Sequence, residues 1–159
     1  MTGRVHSYKV ALTWTGNRGS GTSAYLAYSR AHEVTAPGRP VLLGSSDPVF
    51  RGEPDRWNPE QLFVVALSQC HLLWYLHLCA EAGVVVTGYC DAPVGTMVDS
   101  GDRGHFTEVV LRPQVTVADA GMVERATDLH KATHQACYIA NSVNFPVRHE
   151  PVVLVEGAG

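Results

Sequence analysis

The chain has 159 residues, 45% of them apolar and 17% charged, with a net charge of −3. That is enough sequence for one domain, 1–159, with a core that needs no disulfide staples. The mild acidity argues against a surface built to track a phosphate backbone, so no nucleic-acid partner is expected.

Residues Met1 to Tyr8 have no apolar run, so no secretory leader is expected. Residues 6–15 read as a strand, and Gly16 to Gly21 as a turn by composition. Residues 23–35, with Tyr25, Leu26, Tyr28 and Val34, read as the second strand of a hairpin. Four prolines between 36 and 57 predict a long irregular loop, with a short strand near Val41–Leu43. Then comes the clearest helix. Asn58 is its N-cap, Pro59 suits the first position, Glu60 sits where the helix dipole favours an anion, and Gln61 completes a capping box. Gly83 ends it. The run is apolar on nearly every side, so burial all round is expected. A sheet on one side and a second copy of the chain on the other would provide it. The stretch Leu62 to Val86 is interrupted by Ser68, Gln69, His71, His77 and Glu81, which predicts a helix too polar to span a bilayer. No membrane association is therefore expected, and the location is expected to be cytoplasmic, where thiols stay reduced.

Residues 84–89 and 95–99 read as strands, 100–104 as a turn, and 106–117 as the returning strand. Residues 118–140 read as a second helix and 151–155 as a last strand. The order β-β-α-β-β-α-β is of the α+β class.

The four cysteines, Cys70, Cys79, Cys90 and Cys137, include no CxxC pair, which argues against a zinc ribbon. Taken singly, each reads as a small core hydrophobe. Cys70 and Cys137, however, lie on helices expected to face each other. The segment HQACYIANSVNF around Cys137 is also unusually polar for a plain helix end. Cys79 lies about 13.5 Å along the helix from Cys70, too far to pair with it. Cys79 and Cys90 therefore read as structural. His130, His134 and Cys137 fall on one helical face that could hold a metal, but spacing supplies no fourth ligand. His71 and His77 read as core or surface histidines. No Ser/Cys-His-Asp order suggests a hydrolase.

The segment Asn58-Pro-Glu-Gln-Leu through Cys70 is similar to the NPEQL-then-cysteine helix of the OsmC/Ohr family of organic hydroperoxide reductases, with the same ten-residue spacing from Glu to Cys. Cys137, sixty-seven residues on, stands close to that family's interval. The glycine loop around Arg18 resembles the family's N-terminal loop. The residue after the cysteine, His71, and the long 44–57 loop depart from the pattern and leave substrate range and reductant open. The resemblance implies an OsmC-like fold in an intertwined homodimer, and a thiol peroxidase for organic hydroperoxides. Cys70 would be the attacking thiolate and Cys137 the resolving thiol, recycled by a dithiol such as a lipoyl group, with no bound cofactor. It also implies an activating arginine held by Glu60. Arg18 matches best, with Arg51 and Arg56 as alternatives. Ten residues of helix separate Glu60 from Cys70 by about 15 Å and turn them to different faces. An antiparallel second copy would bring the partner's carboxylate near. The rival reading is a non-enzymatic ligand-binding or thiol-sensing module on the same fold.

Overall fold

A computed structural model describes residues 3–101 and 103–157. Asp102, in the expected 100–104 turn, lies outside them, as do Met1 and Thr2 and the last two residues. The architecture is mixed α+β, with two long helices and three three-stranded sheets. Contacts divide the chain into two compact units, 1–62 and 63–159.

The first unit carries an antiparallel sheet of β1 (Ala11–Trp14), β2 (His32–Thr35) and β3 (Leu42–Gly44). Both outer strands of the expected hairpin are shorter than 6–15 and 23–35. The reason is local. Asn17 Oδ1 accepts from the backbone N–H of Gly19 and Gly21, at 2.9 and 3.0 Å. Arg30 donates to the carbonyls of Tyr28 and Tyr25, and Ser29 N–H closes on Gly16 O at 2.9 Å. These bonds take up groups that a strand ladder would use, so 16–30 curls instead. The expected short strand near 41–43 is β3.

Helix α1 (Pro59–Glu81) starts as its sequence predicts. Asn58 Oδ1 accepts from Gln61 N–H at 2.8 Å, and Gln61 Oε1 accepts from Asn58 N–H at 3.3 Å, a reciprocal capping box. Gly83 follows the helix with φ +72°, the left-handed turn that favours glycine. By length and composition alone α1 would pass for a membrane span. Its neighbours make it a core helix. Leu67 packs with Val109, Leu111 and Val147, while Tyr75 and Cys79 pack with Val84, Val115, Val117 and Ala126. Burial is nevertheless one-sided within a single chain. Leu67, His71, Tyr75 and Cys79 form the buried stripe, and Leu73 on another face stays 67% exposed.

The second unit has two sheets, β4-β7-β9 and β5-β6-β8. They are built from β4 (Val86–Asp91), β5 (Val94–Asp99), β6 (Gly104–Leu111), β7 (Pro113–Val117), β8 (Val147–His149) and β9 (Val152–Val155). The expected strand 106–117 is thus two strands in different sheets, and β8 is an addition. Prolines mark the crossings. Pro93, Pro113 and Pro151 each stand at a point where the chain leaves one sheet for the other. Proline has no N–H to give a ladder, so pairing stops there. Asp91 secures the crossing, accepting from Arg112 N–H at 2.7 Å and from the Ser68 hydroxyl of α1 at 2.5 Å.

Helix α2 (Val123–Ala136) is shorter at both ends than 118–140. Asp119 caps a single 3-10 turn ahead of it, accepting from Gly121 N–H at 2.7 Å. Cys137 already has extended backbone, φ −67° and ψ 110°.

Candidate active site

Cys70 sits mid-way along α1 and Cys137 just past the end of α2. The second unit brings these two thiols together. Cys137 is 1% exposed and lies close enough to Cys70 for that thiol to act on it. Its sulfur also accepts from Ala140 N–H at 3.4 Å. Burial first, and then the neighbouring Cys70, push the Cys137 thiol up to about 11. It is therefore protonated at neutral pH. All four cysteines are free thiols. Cys79 is buried beside Tyr75, and its thiol is raised by burial. Cys90 is exposed on β4.

Around the pair the lining is aromatic. Trp74, one turn past Cys70, meets Tyr138 edge-on with ring centres 5.4 Å apart. Phe63, Phe106 and Phe145 form a trio with centres 5.3–5.8 Å apart, packed against the Leu67 cluster. Trp74 also borders a shallow apolar depression with Leu73 and His77.

In the first unit, Glu60 lies in the first turn of α1 with Oε2 buried and without a hydrogen-bond partner among the described residues. An unpaired buried carboxylate oxygen is costly and calls for a cation. Arg18 and Arg51 line one cavity. Arg56 donates to His32 O at 3.3 Å and stands near Glu53.

A cluster of histidines beside the thiols is missing from the sequence reading. His71 Nε2 and His130 Nδ1 are 3.0 Å apart, and each residue is 1% exposed. Tyr75 stacks on His130 at 4.0 Å and donates its hydroxyl to Ala126 O at 2.9 Å. His149 of β8 lies 5.7 Å from His71 and 5.6 Å from His134, ring centre to ring centre. The spacing of His130 and His134 signals a shared face, but only tertiary packing adds His71 and His149. On the helical face of His130, His134 and Cys137, one member is already bonded within the fold. His130 Nδ1 is spent on His71, and no group of three or more His, Cys, Asp or Glu converges for a metal among the described residues.

A mixed α+β chain with paired thiols at a helix junction defines the class, and comparison with known proteins supplies the family. A family model described as OsmC-like protein matches residues 52–151. The chain belongs to the OsmC-like family. An OsmC-like protein of unknown function from Vibrio cholerae O1 biovar eltor is 30% identical, with 93% of this chain and 100% of that one covered and a TM-score of 0.83. An organic hydroperoxide resistance protein from Elizabethkingia anophelis, with thiocyanate bound, is 19% identical over 95% of this chain and 99% of its own, at TM-score 0.65. An organic hydroperoxide resistance protein OsmC from Legionella pneumophila is 16% identical over 96% of this chain and 100% of its own, also at 0.65. The last two likenesses carry the fold. No curated protein matches the chain.

The histidine cluster predicts a pH dependence. Burial, and then the neighbouring His149 and His134, push His71 down to about 4. Burial, and then His71 and His149, push His130 down to about 3. His149 is lowered too, by burial and by His134. Each is neutral in the fold and titrates near 6.5 when unfolded. Their contribution is fully present above pH 6.5 and is lost as pH falls toward 4. The urea midpoint is expected to hold between pH 7 and 8 and to drop steadily from 6.5 to 4. A His130→Gln variant should show a shallower drop. An unchanged slope would contradict this account.

Proposed function

We propose that the chain is a cytoplasmic thiol peroxidase that reduces organic hydroperoxides to alcohols, acting as one domain in a homodimer. The observation that carries this reading is the Cys70–Cys137 contact, with Cys137 held protonated. A thiol held protonated is a poor first nucleophile, which leaves Cys70 for the attack on the peroxide. Fold neighbours that are named organic hydroperoxide resistance proteins support the same chemistry.

In the proposed cycle, the Cys70 thiolate attacks the distal peroxide oxygen. The O–O bond breaks, sulfur is oxidised to sulfenic acid, and the alkoxide takes a proton to leave as the alcohol. The Cys137 thiol then attacks the sulfenic sulfur, releasing water and forming the Cys70–Cys137 disulfide. A dithiol, of the lipoyl type or similar, reduces that disulfide and is itself oxidised. No bound cofactor enters. A thiolate in apolar surroundings needs a cation to form. Arg18 is the proposed source, held by the unpaired oxygen of Glu60, and Arg51 is its alternative. Aromatic groups around Cys70 suit a bulky organic substrate over hydrogen peroxide.

Reduced protein mixed with cumene hydroperoxide is expected to lose two free thiols per chain. Cys70→Ser should lose none, and Cys137→Ser should accumulate a sulfenic acid that dimedone traps. Wild-type protein that keeps all its thiols would favour a non-enzymatic binding or sensing module on the same fold.

The dimer is proposed from α1, apolar on every face yet buried on only one. Leu73 and Leu76 are left to the solvent within one chain, and Tyr138 is 68% exposed. A second copy over this face would bury them. Sedimentation is expected to give twice the chain mass, with Leu73→Asp shifting it toward one chain and lowering turnover. A fully active monomer would contradict the shared site.

A further inference from the structure

The first unit contains a cavity of about 340 Å³ whose lining includes Arg18, Arg30 and Arg51, together with Tyr28, Ser29 and Gly52. No carboxylate lines it among the described residues, and none of the three arginines makes an ion pair there. The Glu53 carboxylate of the same unit is taken up by the hydroxyls of Ser29 and Ser45.

One of these guanidinium groups is anchored, and a second arginine has a constrained backbone. Arg30 donates to Tyr28 O at 2.8 Å and Tyr25 O at 2.9 Å. It also lies over both tyrosine rings, at 4.2 and 4.4 Å. A guanidinium has five N–H donors, so this anchoring leaves others open. Arg51 is held by the backbone. Its φ of +67° makes it the sole non-glycine residue in the left-handed region among the described residues. Such positions usually go to glycine or asparagine. Its own N–H donates to Pro48 O at 2.9 Å, closing the 3-10 turn Pro48–Phe50. The chain leaves no slack after it, because a Cβ on Gly52 would lie 1.6 Å from Ser46 O. An arginine in a left-handed backbone position and an anchored one thus line one cavity with no carboxylate among its described lining residues, and like charges sharing a cavity repel. A bound anion relieves that repulsion. Guanidinium groups match the oxygens of a phosphate through paired N–H···O bonds.

We propose that this arginine-lined cavity is a binding site for a doubly charged oxyanion of the phosphate type. The site lies wholly within the first unit and holds whether or not Arg18 also activates Cys70.

Calorimetric titration of the full chain with inorganic phosphate at pH 7, against chloride and acetate at matched ionic strength, tests this. Phosphate is expected to bind saturably, one per chain, and more tightly than either control. Arg51→Gly removes the guanidinium and relieves the left-handed backbone, so folding is not at risk. It should weaken phosphate at least about tenfold. Arg39→Gln removes the same charge from an exposed loop outside the cavity and should change binding less than about twofold. Cys70→Ser should bind phosphate as the wild type does, which separates this site from the peroxidase reading. The proposal is overturned if phosphate binds no better than chloride or acetate, if Arg51→Gly binds as the wild type does, or if Arg39→Gln weakens binding as much.

Discussion

The second unit depends on the clamp between α1 and α2. Tyr75 reaches from α1, lays its ring on His130 and donates its hydroxyl to Ala126 O. His71, one turn earlier, bonds His130 directly. Both contacts are buried. Buried polar groups are tolerated only when they are partnered, so the pairing of these side chains fixes how the two helices meet. Cys70 precedes His71, and Cys137 follows His134 on the same α2 terminus. The distance between the thiols is therefore set by a clamp that contains neither of them. Aliphatic packing alone could slide by a fraction of an ångström. A directional bond of 3.0 Å between two rings leaves less freedom.

The sheets supply the other half of that constraint. Strands cross from one sheet to the other at Pro93, Pro113 and Pro151, and Asp91 ties the crossing to Ser68 on α1. One helix is thus held at its waist by a sheet junction and further along by α2. The remaining apolar faces of α1 have no partner within a single chain. That asymmetry explains why a helix so evenly apolar gives only one buried stripe.

Much of this was legible in the sequence. The capping box at Asn58 and Gln61 and the stop at Gly83 emerge as read, because each is local chemistry with one favoured outcome. The break at Arg112–Pro113 was also written in the sequence, but proline is tolerated at a strand start as well as at an edge, and periodicity ran straight through it. The curled 16–30 segment was not legible. Its apolar residues Tyr25, Leu26, Tyr28 and Val34 suggest a strand, and the bonds of Asn17, Ser29 and Arg30 to nearby backbone pull it out of the ladder. The histidine cluster draws on α1, α2 and β8, elements separated by dozens of residues, so no spacing rule could assemble it. For the site, the two cysteines stood out through the helix that carries Cys70 and through family resemblance. Which arginine serves them depends on tertiary placement, which no spacing gives: Arg56 bonds His32 O, and Arg18 and Arg51 share a cavity.

The central claim is that Cys70 and Cys137 form one redox pair, selected by geometry from four free thiols. Peptide mass mapping after a single equivalent of cumene hydroperoxide, without added reductant, tests it most directly. The account predicts one cross-linked species joining the Cys70 and Cys137 peptides, with Cys79 and Cys90 still reduced. A cross-link through Cys79 or Cys90, or a Cys70 carried on to sulfinic acid while Cys137 stays free, would contradict it.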